Sequence, residues 1–153
     1  MTIYGTMFRD LLFPFYEKIQ GRNTPRYLKE ANNRLSATTI AIEEFQLQQL
    51  KSLLIYCNKN VPYYQSQWEK IGFDPELITH VSDLEKLPVL TKDDVRNHYD
   101  DLIPSFKKVS NIVKSTGGST GQPFHFELDV KSYETRQAIM WRGYGWMGAG
   151  LGV

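Results

Sequence analysis

Ser110-Asn111-Ile112-Val113-Lys114-Ser115-Thr116-Gly117-Gly118-Ser119-Thr120-Gly121-Gln122-Pro123-Phe124-His125-Phe126-Glu127-Leu128-Asp129 is where the chain changes its period. Phe124, Phe126 and Leu128 alternate with His125, Glu127 and Asp129, which is the two-residue repeat of a strand with one buried face. Ile112 and Val113 mark a partner strand over 110–115. Between the two lie three glycines and four hydroxyl residues in the nine positions from Ser115 to Pro123. A strand, a turn-rich loop and a strand, set in a chain otherwise patterned as helix, predict the α+β class. The expected layout is a mostly helical region over 1–108, then a β-loop-β-helix segment over 109–153 with a small antiparallel hairpin and a C-terminal helix.

Working outward, Asp129 is placed to cap that last helix, in which Val130, Tyr133, Gln137, Met140 and Tyr144 share one side. Upstream, Ile42, Phe45, Leu47, Leu50, Leu53, Leu54 and Cys57 recur at three- and four-residue steps between Thr38 and Lys59, which predicts an amphipathic helix. It must end near Val61, because Pro62 has no amide hydrogen, and the same proline opens a short helix that Gly72 stops. Ser82 to Glu85 and Thr91 to Asp94 have the capping-box form, and Leu87 to Leu90 between them should be extended. At the start, Met7, Phe8, Leu11 and Leu12 fit a helical face closed by Pro14, with a weaker segment around Tyr27 and Leu28.

Composition narrows the function classes. The 153 residues carry 18 Lys plus Arg against 17 Asp plus Glu, spread without a strong regional excess, so a field-driven nucleic-acid binder is not expected. The first apolar stretch is broken by Arg9, Asp10 and Pro14, so neither a signal peptide nor a membrane span is expected there, and the expected location is the cytoplasm. The lone cysteine, Cys57, excludes an internal disulfide and reads as a small buried thiol on the apolar side of its helix. Five glycines fall between Gly143 and Gly152 and the sequence ends on apolar residues, which predicts exposed apolar surface and a possible homo-oligomer.

The loop carries the chemistry. Glycines let a backbone approach a polyphosphate and point amides at its oxygens, while Ser and Thr hydroxyls add donors. It is not a Walker loop, because Gly121 is followed by Gln122, Pro123 and a strand instead of Lys-Ser/Thr and a helix, and no Gly-x-Gly-x-x-Gly opens a helix. An isolated string of this kind can also be a mobile hairpin turn. No residue here is a general acid, base or nucleophile. His80 and His98 stand in polar contexts that suit solvation better than metal binding, and His125 lies on the strand face opposite Phe124 and Phe126. Asp93, Asp94, Asp100 and Asp101 suit the first turns of short helices. Trp141, Tyr144 and Trp146 could wall an acyl pocket, although aromatics at helical steps commonly serve a core.

The order Ser-Thr-Gly-Gly-Ser-Thr-Gly-Gln-Pro resembles the glycine-rich phosphate loop of adenylate-forming enzymes. Val61-Pro62-Tyr63-Tyr64, then Ile71 to Pro75, then Asp83 to Val95, are similar to the N-terminal region of the phenylacetate–coenzyme A ligase branch and its CapK-type capsular-polysaccharide relatives. The resemblance covers about residues 40 to 145. It implies that Ser115, Thr116, Gly117, Gly118, Ser119, Thr120 and Gly121 bind the β- and γ-phosphates of ATP with magnesium during activation of a small carboxylic acid, with CoA as a possible acceptor. Phe124 stands where many members of the superfamily carry lysine. Family enzymes are much longer, so the resemblance implies an N-terminal part that lacks the catalytic segments. The alternative from another class is a non-catalytic helical interaction module with an incidental Ser/Thr/Gly turn.

Overall fold

The computed structural model describes residues 3–105, 112–116, 123 and 125–152. In chain order its elements are α1 (Ile3–Met7), a π-helical turn (Phe8–Leu12), α2 (Phe13–Ile19), α3 (Thr24–Asn33), α4 (Thr39–Asn60), α5 (Pro62–Ile71), α6 (Lys92–Asn97), β1 (Ile112–Ser115), β2 (His125–Leu128) and α7 (Val130–Trp146), with short 3-10 turns between some of them. This is the expected α+β fold: a helical region, an antiparallel hairpin and a C-terminal helix. The elements group into two compact units. One is Thr38–Lys108; the other joins Met1–Ala37 to Val109–Val153.

The unit Thr38–Lys108 follows its sequence signals closely. The Thr38 hydroxyl accepts the Ala41 N–H and opens α4, and Val61 closes it in an extended conformation (φ −114°, ψ 107°), as the residue before proline prefers. Pro62 lies in the first turn of α5, and Gly72 ends it in the left-handed region at φ +64°, where a residue without Cβ is least strained. The core is Leu54, Trp68 and Ile78, with Leu47, Leu50, Cys57, Tyr64, Phe73 and Leu87 packed around it. Trp68 meets Tyr64 and Phe73 with ring centroids 5.1 and 5.3 Å apart. The inward stripe of α4 is therefore Leu47, Leu50, Leu54 and Cys57. It is narrower than the sequence pattern suggests, for Leu53, Ile42 and Phe45 stand exposed.

The second capping motif forms as read: Asp94 accepts the Thr91 N–H at 2.8 Å while the Thr91 hydroxyl accepts the Asp94 N–H at 3.1 Å. The first is corrected. Helical structure begins at Val81, not after Ser82, and it is a 3-10 turn through Lys86. Asp83, not Glu85, supplies the carboxylate, accepting the N–H groups of Thr79 and His80 at 2.9 and 3.0 Å. The N-cap is His80, two residues before Ser82, and the acid moves with it, since Asp83 keeps the third-position spacing that Asp94 has from Thr91.

The other unit departs further. Pro14 does not close the first helix: backbone angles stay helical from Met7 through Phe13, and the Phe13 N–H reaches back five residues to the Phe8 carbonyl. The wide π turn carries the helix into α2 with Pro14 in the first turn after it, where a missing N–H costs least. α3 and α7 then pack side by side through their smallest residues, Ala31 and Ala138, both fully buried. The buried side of α7 is Glu134 and Ala138 with Trp141 and Arg142 partly covered, not the Val130, Met140 and Tyr144 side, which is exposed.

Two polar contacts explain that choice. The buried Glu134 carboxylate accepts the N–H of Asn23, the residue before α3, at 3.0 Å, and Arg142 donates to the Ala31 carbonyl at 3.1 Å in the last turn of α3. Both contacts advance eight positions along each helix, so α3 and α7 run parallel. An acid at the N-terminus of α3 and a base near its C-terminus complement the exposed amides and carbonyls of the two ends. The expectation of exposed apolar residues near the end of the sequence is met by Trp146 and Met147, while Leu151 turns inward. Gly152 (φ +78°) lies so close to Gly5 that a Cβ would fall 2.1 Å from the Gly5 carbonyl oxygen.

Candidate functional site

The loop expected to bind phosphate is framed by the hairpin. β1 and β2 pair antiparallel, Ile112 with Leu128, Val113 with Glu127, Lys114 with Phe126 and Ser115 with His125. Side chains alternate across this register, so Ile112, Lys114, Phe126 and Leu128 share one face and Val113, Ser115, Glu127 and His125 the other. His125 is exposed, as its place opposite the phenylalanines predicts. The Lys114 ammonium crosses to the Tyr133 ring of α7, 5.1 Å from its centroid, which ties the hairpin to the helix that follows. Asp129 turns the chain from β2 into α7, accepting the Ser132 N–H at 2.7 Å.

Pairing of Ser115 with His125 brings the two ends of the intervening segment to adjacent positions, roughly 5 Å between α-carbons in any antiparallel pair. Of the seven residues proposed to hold phosphate, Ser115 and Thr116 are described, and both are exposed. Gly117, Gly118, Ser119, Thr120 and Gly121, together with Phe124, lie outside the described residues. The donor set is all hydroxyl and amide, with no carboxylate between Ser115 and Pro123 to repel a polyphosphate.

The histidines and carboxylates singled out in the sequence are engaged locally. The His80 ring is 3.0 Å from the Thr79 hydroxyl, and His98 lies 3.5 Å from Asp101 and against the Tyr63 ring. Asp93 pairs with Arg96 at 2.8 Å. Hydrogen bonds from the Thr91 hydroxyl and N–H hold the Asp94 carboxyl below the usual carboxylate range, and Lys86, then the two backbone amides, do the same for Asp83. Among the described residues no group of three His, Cys, Asp or Glu side chains is arranged to hold a metal. Cys57 is half-buried, and burial pushes its thiol pKa up, which fits an inert core thiol better than a nucleophile.

A cleft of about 360 Å³ opens within the unit that joins both ends of the sequence. Trp141, Trp146 and Leu28 supply apolar wall, and Arg9, Asn32 and Arg142 supply polar groups. Two of the three aromatics considered for a pocket thus line one; Tyr144 instead packs edge-on against Trp141, with centroids 5.9 Å apart. Sequence reading missed Arg9, Asn32 and Arg142. No local signal marks them, because they meet only when the π turn, α3 and α7 pack together.

No family model matches the chain. It is similar to the phenylacetate-coenzyme A ligase of Escherichia coli (strain K12), 33% identical over 90 residues that make up 58% of this chain and 20% of that protein. Similarity to the protein CapK of Staphylococcus aureus extends over 141 residues at 29% identity, covering 90% of this chain and 30% of CapK. The phenylacetate-coenzyme A ligase of Aromatoleum evansii is 27% identical over 132 residues, 73% of this chain and 30% of the relative. These likenesses support a ligase-like family. The chain spans only about 20–30% of the length of these curated relatives.

Among the described residues no helix is long and apolar enough to cross a membrane.

Proposed function

We propose that this chain is the phosphate-loop-bearing part of an adenylate-forming, phenylacetate-CoA-ligase-like enzyme that activates a small carboxylic acid with ATP and magnesium. The carrying observation is the Ser115–His125 pairing, which brings together the two residues that flank a hydroxyl- and glycine-rich stretch of sequence, within a chain similar to ligases of that name. Bound MgATP would supply the reactive phosphorus and a pyrophosphate leaving group; CoA is the natural acceptor if the likeness to the ligases extends to the second half-reaction. Ser115, Thr116, Ser119 and Thr120 supply hydroxyl donors, and Gly117, Gly118 and Gly121 supply amides. Such donors, fixed where negative charge grows, stabilise it without reorganising. They orient and neutralise, and perform no proton transfer. A role in surface-polysaccharide assembly and a cytoplasmic location belong to the same reading.

The test is thermal stability with ATP or pyrophosphate. Wild type should melt at a higher temperature with either ligand, and Gly118→Val or Ser119→Ala should remove the shift. No shift in wild type, or an unchanged shift in both variants, would defeat the reading and favour the interaction module. In pyrophosphate exchange against a panel of carboxylic acids the chain should be inactive; robust exchange would show that the segments beyond its span are not needed.

Exposed apolar side chains support one further property. Ile3, Met7, Leu11 and Phe15 recur at four-residue steps along α1, the π turn and α2, and all are exposed. We assign to such surface the expected self-association, checked by light scattering: Leu11→Glu should shift any dimer to monomer.

A further inference from the structure

We propose that the outward row of α1, the π turn and α2 docks on a lipid bilayer surface that carries anionic headgroups. The row is the one given above to self-association, which becomes the competing state in water. Nothing in the proposal depends on the phosphate loop.

This helical segment is packed inside out. Its inner row is Gly5, Arg9, Phe13 and Glu17, with Gly5 and Glu17 buried and the other two half-buried. That row is fixed to the body of its unit: Gly152 lies against Gly5, and the Phe13 ring meets Trp141 with centroids 6.4 Å apart. Opposite it run Ile3, Met7, Leu11, Phe15 and Ile19, with exposures from 45% at Met7 to 91% at Ile3. In a regular α-helix, positions four apart drift by about 40° at each step. The π turn, in which the Phe13 N–H reaches the Phe8 carbonyl, turns less per residue and takes back part of that drift. The five side chains therefore stay on one side over a length of about 25 Å. Apolar surface of this extent gains free energy when it is covered.

The flanks select what covers it. Tyr4 and Tyr16, both exposed, join an apolar ring to a polar tip, which suits the depth of lipid headgroups. Arg9 neutralises Asp10 at 2.6 and 2.8 Å and Glu17 is buried, so the exposed charge left on α2 is that of Lys18. Arg22, Arg26 and Lys29 follow, all exposed. The near balance of the whole sequence hides a sorting by unit: the one that joins both ends has ten Lys or Arg against six Asp or Glu, the other eight against eleven. With Arg9, Asp10, Glu17 and Lys18 inside it, the segment lies on a bilayer and does not pass through it. A second copy covers the row only by bringing two positively charged segments together, whereas anionic headgroups answer that charge.

The experiment is flotation of the chain with vesicles of phosphatidylcholine alone and with vesicles in which about 30% of the lipid is phosphatidylglycerol. The anionic vesicles should bind at least about tenfold more tightly, and salt at about 0.5 M should remove most of the difference. Leu11→Glu should weaken binding to the anionic vesicles at least about tenfold, and Phe15→Ser should weaken it without adding charge. Lys18→Glu, at an exposed position, should weaken it about tenfold at low salt only. Leu53→Glu, an exposed apolar position of α4 in the other unit, should leave it unchanged. If Leu11→Glu fails to fold, Phe15→Ser and Lys18→Glu decide. No binding to the anionic vesicles, equal binding to both kinds, indifference to Phe15→Ser or Lys18→Glu, or an equal loss in Leu53→Glu would overturn the proposal. A chain that dimerises in light scattering yet floats with neither vesicle overturns it as well, and leaves self-association standing.

Discussion

The two units solve the same problem by opposite means. Thr38–Lys108 is one continuous stretch whose core is large and apolar, Leu54, Trp68 and Ile78, and whose helix boundaries are set by a threonine cap, a proline and a glycine. The other unit is drawn from both ends of the sequence. At its centre are two alanines and buried carboxylates, Glu17 and Glu134, and its helices are matched through hydrogen bonds between residues 111 positions apart. Where burial of apolar area dominates, local sequence suffices to read the structure. Where close helix approach and polar matching dominate, the partner decides.

The sharpest way to break this contrast is at the aromatic core. Trp68→Ala should cost about 3–5 kcal/mol, measured by urea denaturation, because a fully packed indole leaves a cavity its neighbours cannot fill. A loss below about 1 kcal/mol would mean that this core does not hold the unit. Glu134→Ala should cost less, about 1–3 kcal/mol, by removing the buried carboxylate that accepts the Asn23 N–H at the start of α3. Leu at the same position would test whether apolar filling can replace the polar match. An unchanged or raised stability there would erase the distinction between the units.

Gly152→Ala should destabilise by about 1 kcal/mol or more, through the contact with Gly5 and the positive φ together. A neutral result by differential scanning calorimetry would show that the final residues do not fold back on α1. In the other unit the smallest effect is electrostatic. The folded-state pKa of Asp83 lies below the ordinary carboxylate value of about 3.9, so its stabilisation is fully present above that pH. It is lost as pH falls through the depressed folded-state value. Asp83→Asn should therefore flatten the acid limb of a stability-versus-pH curve and leave its shape at neutral pH unchanged. Native Cys57 should also react with a disulfide reagent more slowly than a free thiol, and at the free-thiol rate once unfolded, which gives a probe private to this unit.

Legibility in the sequence follows the same division. Thr38, Pro62, Gly72 and Asp129 act on the backbone within four residues of themselves, so α4, α5 and the start of α7 could be placed from them. Pro14 misled because the same residue that ends a helix can also open the next turn, and the π turn before it joined the two. Ser82 misled because the turn starts two residues earlier, with His80 as its N-cap, and at the same three-residue spacing Asp83 takes the place read for Glu85. The inward face of α7 was out of reach: its apolar count favours Val130, Met140 and Tyr144, yet Glu134 and Ala138 win through what α3 offers them. For the candidate sites, the hydroxyl-glycine loop was visible because its composition is its chemistry. The Arg142 cleft was not.

By itself the sequence determined the α+β class, the strand–loop–strand placement of Ser115 to Pro123, and the boundaries of the helices that carry their own caps and breakers. These are properties of backbone dihedral preference and short-range hydrogen bonding, and they are spent within a turn or two of the residue that causes them. Only the tertiary structure decided that the two ends of the sequence share one unit, that α3 and α7 run parallel with an acid and a base at opposite ends, and that Arg142, stacked on Trp146, lines one cleft with Asn32 of α3. Those arrangements depend on which surfaces meet, and no residue specifies its partner at a distance of a hundred positions until the chain has packed.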